Sequence, residues 1–190
     1  MTDEQLVENF KNGHNDAFDE LVRRYQQIIF NVAYRFLGNR QDVLDAAQDV
    51  FVKVYYALPD FEPNAKFSTW LYRITVNHCL NVLRSKKRRR WLSTFSNYDK
   101  DSQNQFFNIS DDTHNPESNF EKSEKEEIIR KAIDSLSAPQ RAAVILHRYQ
   151  GLTYKEIAQV MNTSVSSVES SLHRAKKKLG QYLSRYADEF

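Results

Sequence analysis

Glycine is scarce in this chain: four in 190 residues, at positions 13, 38, 151 and 180. They are too scattered to build a G-x-G-x-x-G turn or a G-x-x-x-x-G-K-[ST] phosphate loop, and neither pattern occurs, which excludes the usual nucleotide-binding enzymes. The single cysteine, Cys79, excludes an internal disulfide framework and a Cys-rich zinc site, and a reducing compartment suits it best. No apolar run approaches the roughly 18 residues of a membrane span. The opening Met1-Thr2-Asp3-Glu4 has neither the basic nor the apolar region of a signal peptide, so the expectation is a soluble, cytoplasmic protein with no membrane insertion. A catalytic set is missing as well. His14, His78, His114, His147 and His173 form no H-E-x-x-H pair, and His78 beside Cys79 reads as a coincidence on a helix face. Asp111 and Asp112 sit where nothing fixes their geometry. No metal, no cofactor and no enzymatic activity are expected.

What the chain has is charge, unevenly placed. Its formal net charge is +2, from 27 Lys and Arg against 25 Asp and Glu. Residues 1–98 hold 14 basic against 11 acidic groups, residues 99–127 hold 3 against 9, and residues 128–190 hold 10 against 5. Two basic ends therefore flank an acidic middle. Arg84-Ser85-Lys86-Lys87-Arg88-Arg89-Arg90 places six cations in seven residues, a run that suits either a solvated helix end or a polyanion. The middle, rich in Asn, Asp, Ser and Gln, shows no helical or strand period and reads as a flexible acidic linker over 97–124. Phe106, Phe107 and Ile109 form one short apolar patch within it.

Elsewhere apolar residues recur at spacings of three and four, and strand-length alternation is absent. The fold class is all-α: two small helical domains, 1–96 and 125–190, joined by the linker. The first contains four helices: about Asp3 to Asn12, capped by Asp3; Asp16 to Leu37, ended by Gly38; Gln41 to Ala57, stopped by Pro59; and one from Phe67 into the basic cluster. The second opens with a helix over Glu126 to Ser135. Two capping boxes follow, Ser137-x-x-Gln140 with Pro139 in the first turn and Thr153-x-x-Glu156, and a last helix begins at Val165.

A short helix centred on Ala158, a turn at Asn162-Thr163-Ser164 and a helix with Val165 and Val168 inward have the spacing of a helix-turn-helix. Such a turn sets its helices steeply across each other, so that the second enters a major groove. Thr163, Ser164, Ser166, Ser167, Ser170 and Ser171 offer hydroxyls near the entering end. Arg174, Lys176, Lys177 and Lys178 offer phosphate contacts farther along. The alternative is a three-helix bundle whose serine face is merely wet. A different signature lies in Lys66 to Asn77, where aromatics alternate with cations and small polar groups; exposed aromatics beside Lys and Arg suit unpaired bases. Trp70 reads as core there, and Lys66, Thr69, Arg73 and Asn77 as surface.

These residues resemble an extracytoplasmic-function sigma factor of the sigma-70 family, along nearly the whole chain. Phe18-Asp19-Glu20-Leu21-Val22-Arg23-Arg24-Tyr25 resembles the family's opening helix. Asp42-Val43-Leu44-Asp45-Ala46-Ala47-Gln48-Asp49-Val50-Phe51 resembles its D-A-E-D-L-x-Q-E-x-F segment, and Phe67-Ser68-Thr69-Trp70-Leu71-Tyr72-Arg73-Ile74 with Asn77 is close to the usual pattern. In the second domain the matching motifs are Leu136-Ser137-x-Pro139-Gln140-Arg141, Gly151-Leu152-Thr153-Tyr154-x-Glu156-Ile157-Ala158 and Val168-x-Ser170 with His173-Arg174-Ala175. The resemblance implies an alternative sigma factor that binds core RNA polymerase and directs promoter recognition and DNA opening. Asp45, Gln48 and Asp49 would dock on the β′ coiled coil, with the β flap as a second polymerase contact. Asn64, Lys66, Phe67, Ser68, Thr69, Arg73 and Asn77, continued by Arg84, Lys87 and Arg88, would open the minus ten element and hold a flipped non-template base. The hydroxyls named above, with Arg174, Lys177 and Lys178, would read the minus thirty-five duplex. The linker would pass near the RNA exit path, and an anti-sigma factor would hold the protein inactive.

The chain departs from the family pattern at two places. Glu169 and Ser171 flank the recognition-helix serine where basic residues are common, and Val43 and Leu44 stand where Ala and Glu are usual. Two other readings use the same residues. A conventional helix-turn-helix regulator would need only duplex DNA and two half-sites about one helical turn apart. A pure protein adaptor would show a flat salt dependence toward DNA.

Overall fold

A computed structural model describes the backbone of residues 1–95 and 116–189, and the side chains of residues 1–92 and 125–186. The apolar patch at Phe106, Phe107 and Ile109, and most of the expected linker, lie outside the described residues. The chain divides into two compact units, Met1–Lys100 and Asp101–Phe190. All regular structure among the described residues is helical.

The first unit holds α1 (Asp3–Lys11), α2 (Asp16–Leu37), α3 (Arg40–Ala57) and α4 (Phe67–Phe95). The cap of α1 is Thr2 rather than Asp3. Thr2 Oγ1 accepts from Gln5 N, and Gln5 Oε1 accepts in return from Thr2 N at 2.9 Å. Asp3 is thereby freed to reach α2, where it accepts from the Tyr25 hydroxyl and lies 3.1 Å from the Arg24 guanidinium. Gly38 ends α2 in the left-handed conformation, at φ 76°, where a side chain would be strained. Asn39 then caps α3 by accepting from Asp42 N. Helix α2 packs on α1, α3 and α4. The apolar stripes meet in one cluster that includes Leu6, Leu21, Ile29, Val50, Val54, Leu58 and Leu71. Burying each such side chain is worth about 1.5–3 kcal/mol relative to solvent.

The second unit contains α5 (Pro116–Asp134), α6 (Ala138–Val144), a π-helical turn over Ile145–Tyr149, α7 (Tyr154–Met161), α8 (Val165–Leu183) and a terminal 3-10 stretch, Ser184–Glu189. Helix α5 begins ten residues before the expected Glu126, inside the segment read as linker. Pro116, suited to a first turn, marks the start, and the polar composition that follows hides it. The π turn carries the chain from α6 toward Gly151. Both foreseen capping boxes are present, with Gln140 Oε1 at 3.1 Å from Ser137 N and Glu156 Oε2 at 3.0 Å from Thr153 N. Helix α8 lies against α5, α6 and α7, and Val168 and Ala175 go fully into their core with Ile145, Leu146 and Ile157.

Candidate nucleic-acid and polymerase interface

The fourth helix is the long element of the first unit, 29 residues from Phe67 to Phe95. Side chains seven and four apart share a helix face. Lys66, Arg73, Asn77, Arg84 and Arg88 follow that spacing, so the sequence's two separate signals form one stripe roughly 33 Å long at 1.5 Å per residue. Lys66, Asn77, Arg84, Lys87 and Arg88 are exposed, and Ser68 and Arg73 are half-buried. The loop before α4 is tightened by Asn64, whose Nδ2 donates to Glu62 Oε2 at 2.8 Å. Arg84 donates to Asn81 Oδ1 at 2.8 Å, and Lys86 pairs with Asp42 on α3, which takes that cation out of the run.

Phe67 and Thr69 were expected on the strand-binding surface, and the structure corrects both placements. They are only 2% and 4% exposed. Phe67 stacks among Tyr25, Phe61 and Trp70, with ring centroids 5.4, 6.0 and 5.8 Å away, so it has no face left for a base. Its truncation to Ala would open a core cavity costing about 3–5 kcal/mol. The pattern of alternating aromatics and cations is blind to helix face: Phe67, Trp70, Leu71 and Ile74 point inward, while Lys66 at the helix start is exposed and Arg73 between them is half-buried.

On α3, Asp45, Gln48 and Asp49 are exposed. Asp45 accepts from Gln41 Nε2 at 2.9 Å. Asp49 lies 3.5 Å from Nε2 of buried His78 on α4. Burial holds His78 below its ordinary pKa, Lys53 lowers it further, and Asp49 opposes both. Asp45, Gln48 and Asp49 are not alone on the outer face of α3. Leu44, Val52, Tyr55 and Tyr56 are 45, 48, 40 and 76% exposed on the same helix. An open groove of about 470 Å³ is lined by Phe18, Gln48, Phe51, Val52, Tyr55 and Tyr56. Leu44, Val52, Tyr55 and Tyr56 all fall off the core stripe of Val43, Val50 and Val54 by the helical period, with Val52 opposite it, so their position was legible in the sequence although their role as an apolar surface was not.

In the second unit, Asn162 ends α7 in the left-handed conformation at φ 49°, and Thr163 N donates to Ala158 O at 3.0 Å. These bonds set the turn between α7 and α8. Ser164 is the cap of α8: its Oγ accepts from Ser167 N at 3.2 Å and lies 3.1 Å from Ser166 Oγ. Thr163, Ser166, Ser167, Ser170, Arg174 and Lys177 are exposed, while Ser171 is half-buried on the packed side. Lys178 is exposed but bonds to the Ser135 carbonyl at the end of α5. Glu169 and His173 are exposed on α8, and so is Val165, expected inward with Val168 but 41% exposed because it opens the helix before the packed turn begins. Among the described residues no group of three His, Cys, Asp or Glu side chains is placed to hold a metal. No helix of the described residues is long and apolar enough to cross a membrane.

A helix-turn-helix unit with a cationic helix, and a second helical unit carrying a long cationic stripe, define a two-unit nucleic-acid-binding protein. The comparisons give the family. The sigma-70 region 2 model matches residues 21–89, and the sigma-70 region 4 model matches residues 126–179. The chain is 35% identical over 184 residues to the RNA polymerase sigma-H factor of Pseudomonas aeruginosa, covering 95% of this chain and 93% of that one. It is 34% identical over 179 residues to the ECF RNA polymerase sigma-E factor of Escherichia coli K12, covering 94% and 93%. Among solved structures it is similar to CnrH in complex with the cytosolic domain of CnrY, at TM-score 0.69 and 25% identity over 96% of this chain and 97% of CnrH. The chain belongs to the ECF sigma factors of the sigma-70 family. It directs transcription initiation as a non-catalytic subunit of RNA polymerase, binding core polymerase and promoter DNA. The conventional regulator and the adaptor are thereby set aside.

Proposed function

We propose that the work is divided between the units, with 1–96 docking on polymerase and opening DNA, 125–190 reading the upstream duplex, and 97–124 linking them. The observation that carries this reading is the α4 stripe. A row of four cations, Lys66, Arg73, Arg84 and Arg88, with the neutral Asn77 amide among them, suits a single backbone followed over many nucleotides, because phosphates repeat along a strand and the cations neutralise them while the amide can donate to them. Lys66 and Arg73 lie where α4 begins, beside the Asn64 loop, and act on the strand being separated. Asp45, Gln48 and Asp49 bind the β′ coiled coil, and the apolar side chains around the Gln48 groove supply buried area that acids alone cannot. Ser166, Ser167, Ser170, Arg174 and Lys177 face the major groove. Ser164 and Lys178 instead hold the turn and the α5 end.

The likeness to CnrH, which is solved with the cytosolic domain of CnrY, supports control by an anti-sigma partner, and the bacterial relatives support action in the cytoplasm. The test separates docking from opening. Lys66→Ala and Arg73→Ala holoenzymes are expected to co-elute with core polymerase like wild type yet form open complexes more slowly on permanganate footprinting. Wild-type opening rates in both variants would remove the strand-separating role from these residues.

A further inference from the structure

Helix α8 carries one acid among its cations. In Val165–Leu183 the charged residues are Glu169, Arg174, Lys176, Lys177 and Lys178. Glu169 is exposed, and among the described residues no ion pair engages it. On a helix turning 100° per residue it lies beside Val165, Ser166 and His173, on the exposed flank about 100° around from the buried Val168 and about 120° from Ala175. Val165, one turn earlier on the same flank, is 41% exposed.

A carboxylate brought toward DNA meets phosphates that repel it and base edges of two kinds. It accepts hydrogen bonds and cannot donate them, so guanine O6 and N7 and thymine O4 are closed to it. The groove offers it only exocyclic amines. Cytosine presents N4 beside an apolar C5 edge, whereas adenine presents N6 beside the acceptor N7, which a carboxylate opposes. The exposed Val165 methyls fit the apolar pyrimidine edge. The serines on the first two turns keep the helix slim enough for Glu169 to reach the groove floor.

We propose that Glu169 is a specificity-determining residue that accepts from the N4 amino group of a cytosine in the upstream promoter element. This rests on the reading that α8 enters the major groove. The test uses holoenzyme, reconstituted from the full chain and core polymerase, selecting from duplex promoters with a randomised upstream element. Wild type is expected to enrich cytosine at one position. Glu169→Ala should lose that preference by roughly tenfold and keep the others, and Glu169→Gln should move it toward adenine, whose N6 and N7 an amide pairs.

Uniformly tighter binding by Glu169→Ala, with base preferences unchanged, would overturn the assignment, since the carboxylate would then only repel phosphate. Enrichment of adenine by wild type would overturn the choice of cytosine. If wild type shows no upstream preference and Arg174→Ala and Lys177→Ala leave binding unchanged, the groove reading itself fails and takes the proposal with it.

Discussion

Lys53 Nζ of α3 stands 2.5 Å from Nδ1 of His78 on α4, while the other ring nitrogen faces Asp49 at 3.5 Å. An ammonium has only protons to offer, so Nδ1 must be the acceptor and the ring proton belongs on Nε2, toward the carboxylate. A neutral imidazole thus joins the helix proposed to meet polymerase to the helix proposed to meet DNA.

The pH dependence follows from that arrangement. Burial first, and Lys53 second, hold the native ring below its ordinary value, about 6.5 in the unfolded chain. Between the native and unfolded values the unfolded chain binds more protons, so stability rises with pH there. The contribution is complete above about pH 6.5 and is lost as pH falls through the native value. Thermal unfolding of wild type and His78→Gln from pH 8 to pH 5 should converge or cross as the acid end is approached. Parallel curves would mean that His78 keeps an ordinary pKa.

Cys79 gives an independent report on the same unit. It is fully buried, and burial pushes its thiol up to about 12. A thiol both hidden and protonated is a poor nucleophile. Alkylation of the native protein by iodoacetamide should proceed only as fast as the first unit opens, and labelling should become rapid in denaturant. Immediate labelling of the native chain would place the thiol at the surface.

Much of this architecture is legible in the residues themselves. Gly38, the two capping boxes of the second unit and the turn at Asn162 follow from local chemistry that tertiary contacts do not override. Thr2-x-x-Gln5 carried the same capping signal but was passed over for Asp3, whose real partners are 21 and 22 residues away. The site residues divide differently. Exposed Lys66, Asn77 and Arg84 are where their chemistry suggests, whereas Phe67 and Thr69 are buried because a composition pattern does not report which way a helix face turns. Lys178 illustrates the same limit, since a cation on a basic helix announces no preference between phosphate and a backbone carbonyl.

Arg141 holds the end of α5. It is 8% exposed, donates to the Asp134 carbonyl at 2.7 Å and lies 3.1 Å from the Asp134 carboxylate. Burial lowers its pKa and Asp134 works the other way. Arg141→Ala removes a buried cation's hydrogen bonds to the end of α5 and should destabilise the second unit by about 1.5–3 kcal/mol. Arg141→Lys should recover little, because one ammonium does not reproduce the planar fork. Amide exchange of Ala142 and Ile157 is the readout, and unchanged protection in Arg141→Ala would show that the contact contributes nothing.

Lys177 and Lys178 adjoin in sequence and should behave differently. Lys177 points to solvent on the side of α8 opposite Val168 and Ala175, whereas the Lys178 ammonium sits on the Ser135 carbonyl. Each phosphate contact contributes about one ion to the salt dependence of DNA binding. Lys177→Ala should therefore weaken holoenzyme binding equally across upstream sequences and lower the slope of log K against log salt by about one. Lys178→Ala should leave the slope near wild type and show its effect as faster amide exchange at the α5 end. Equal drops in slope for both would mean that Lys178 releases Ser135 and swings to a phosphate when DNA arrives.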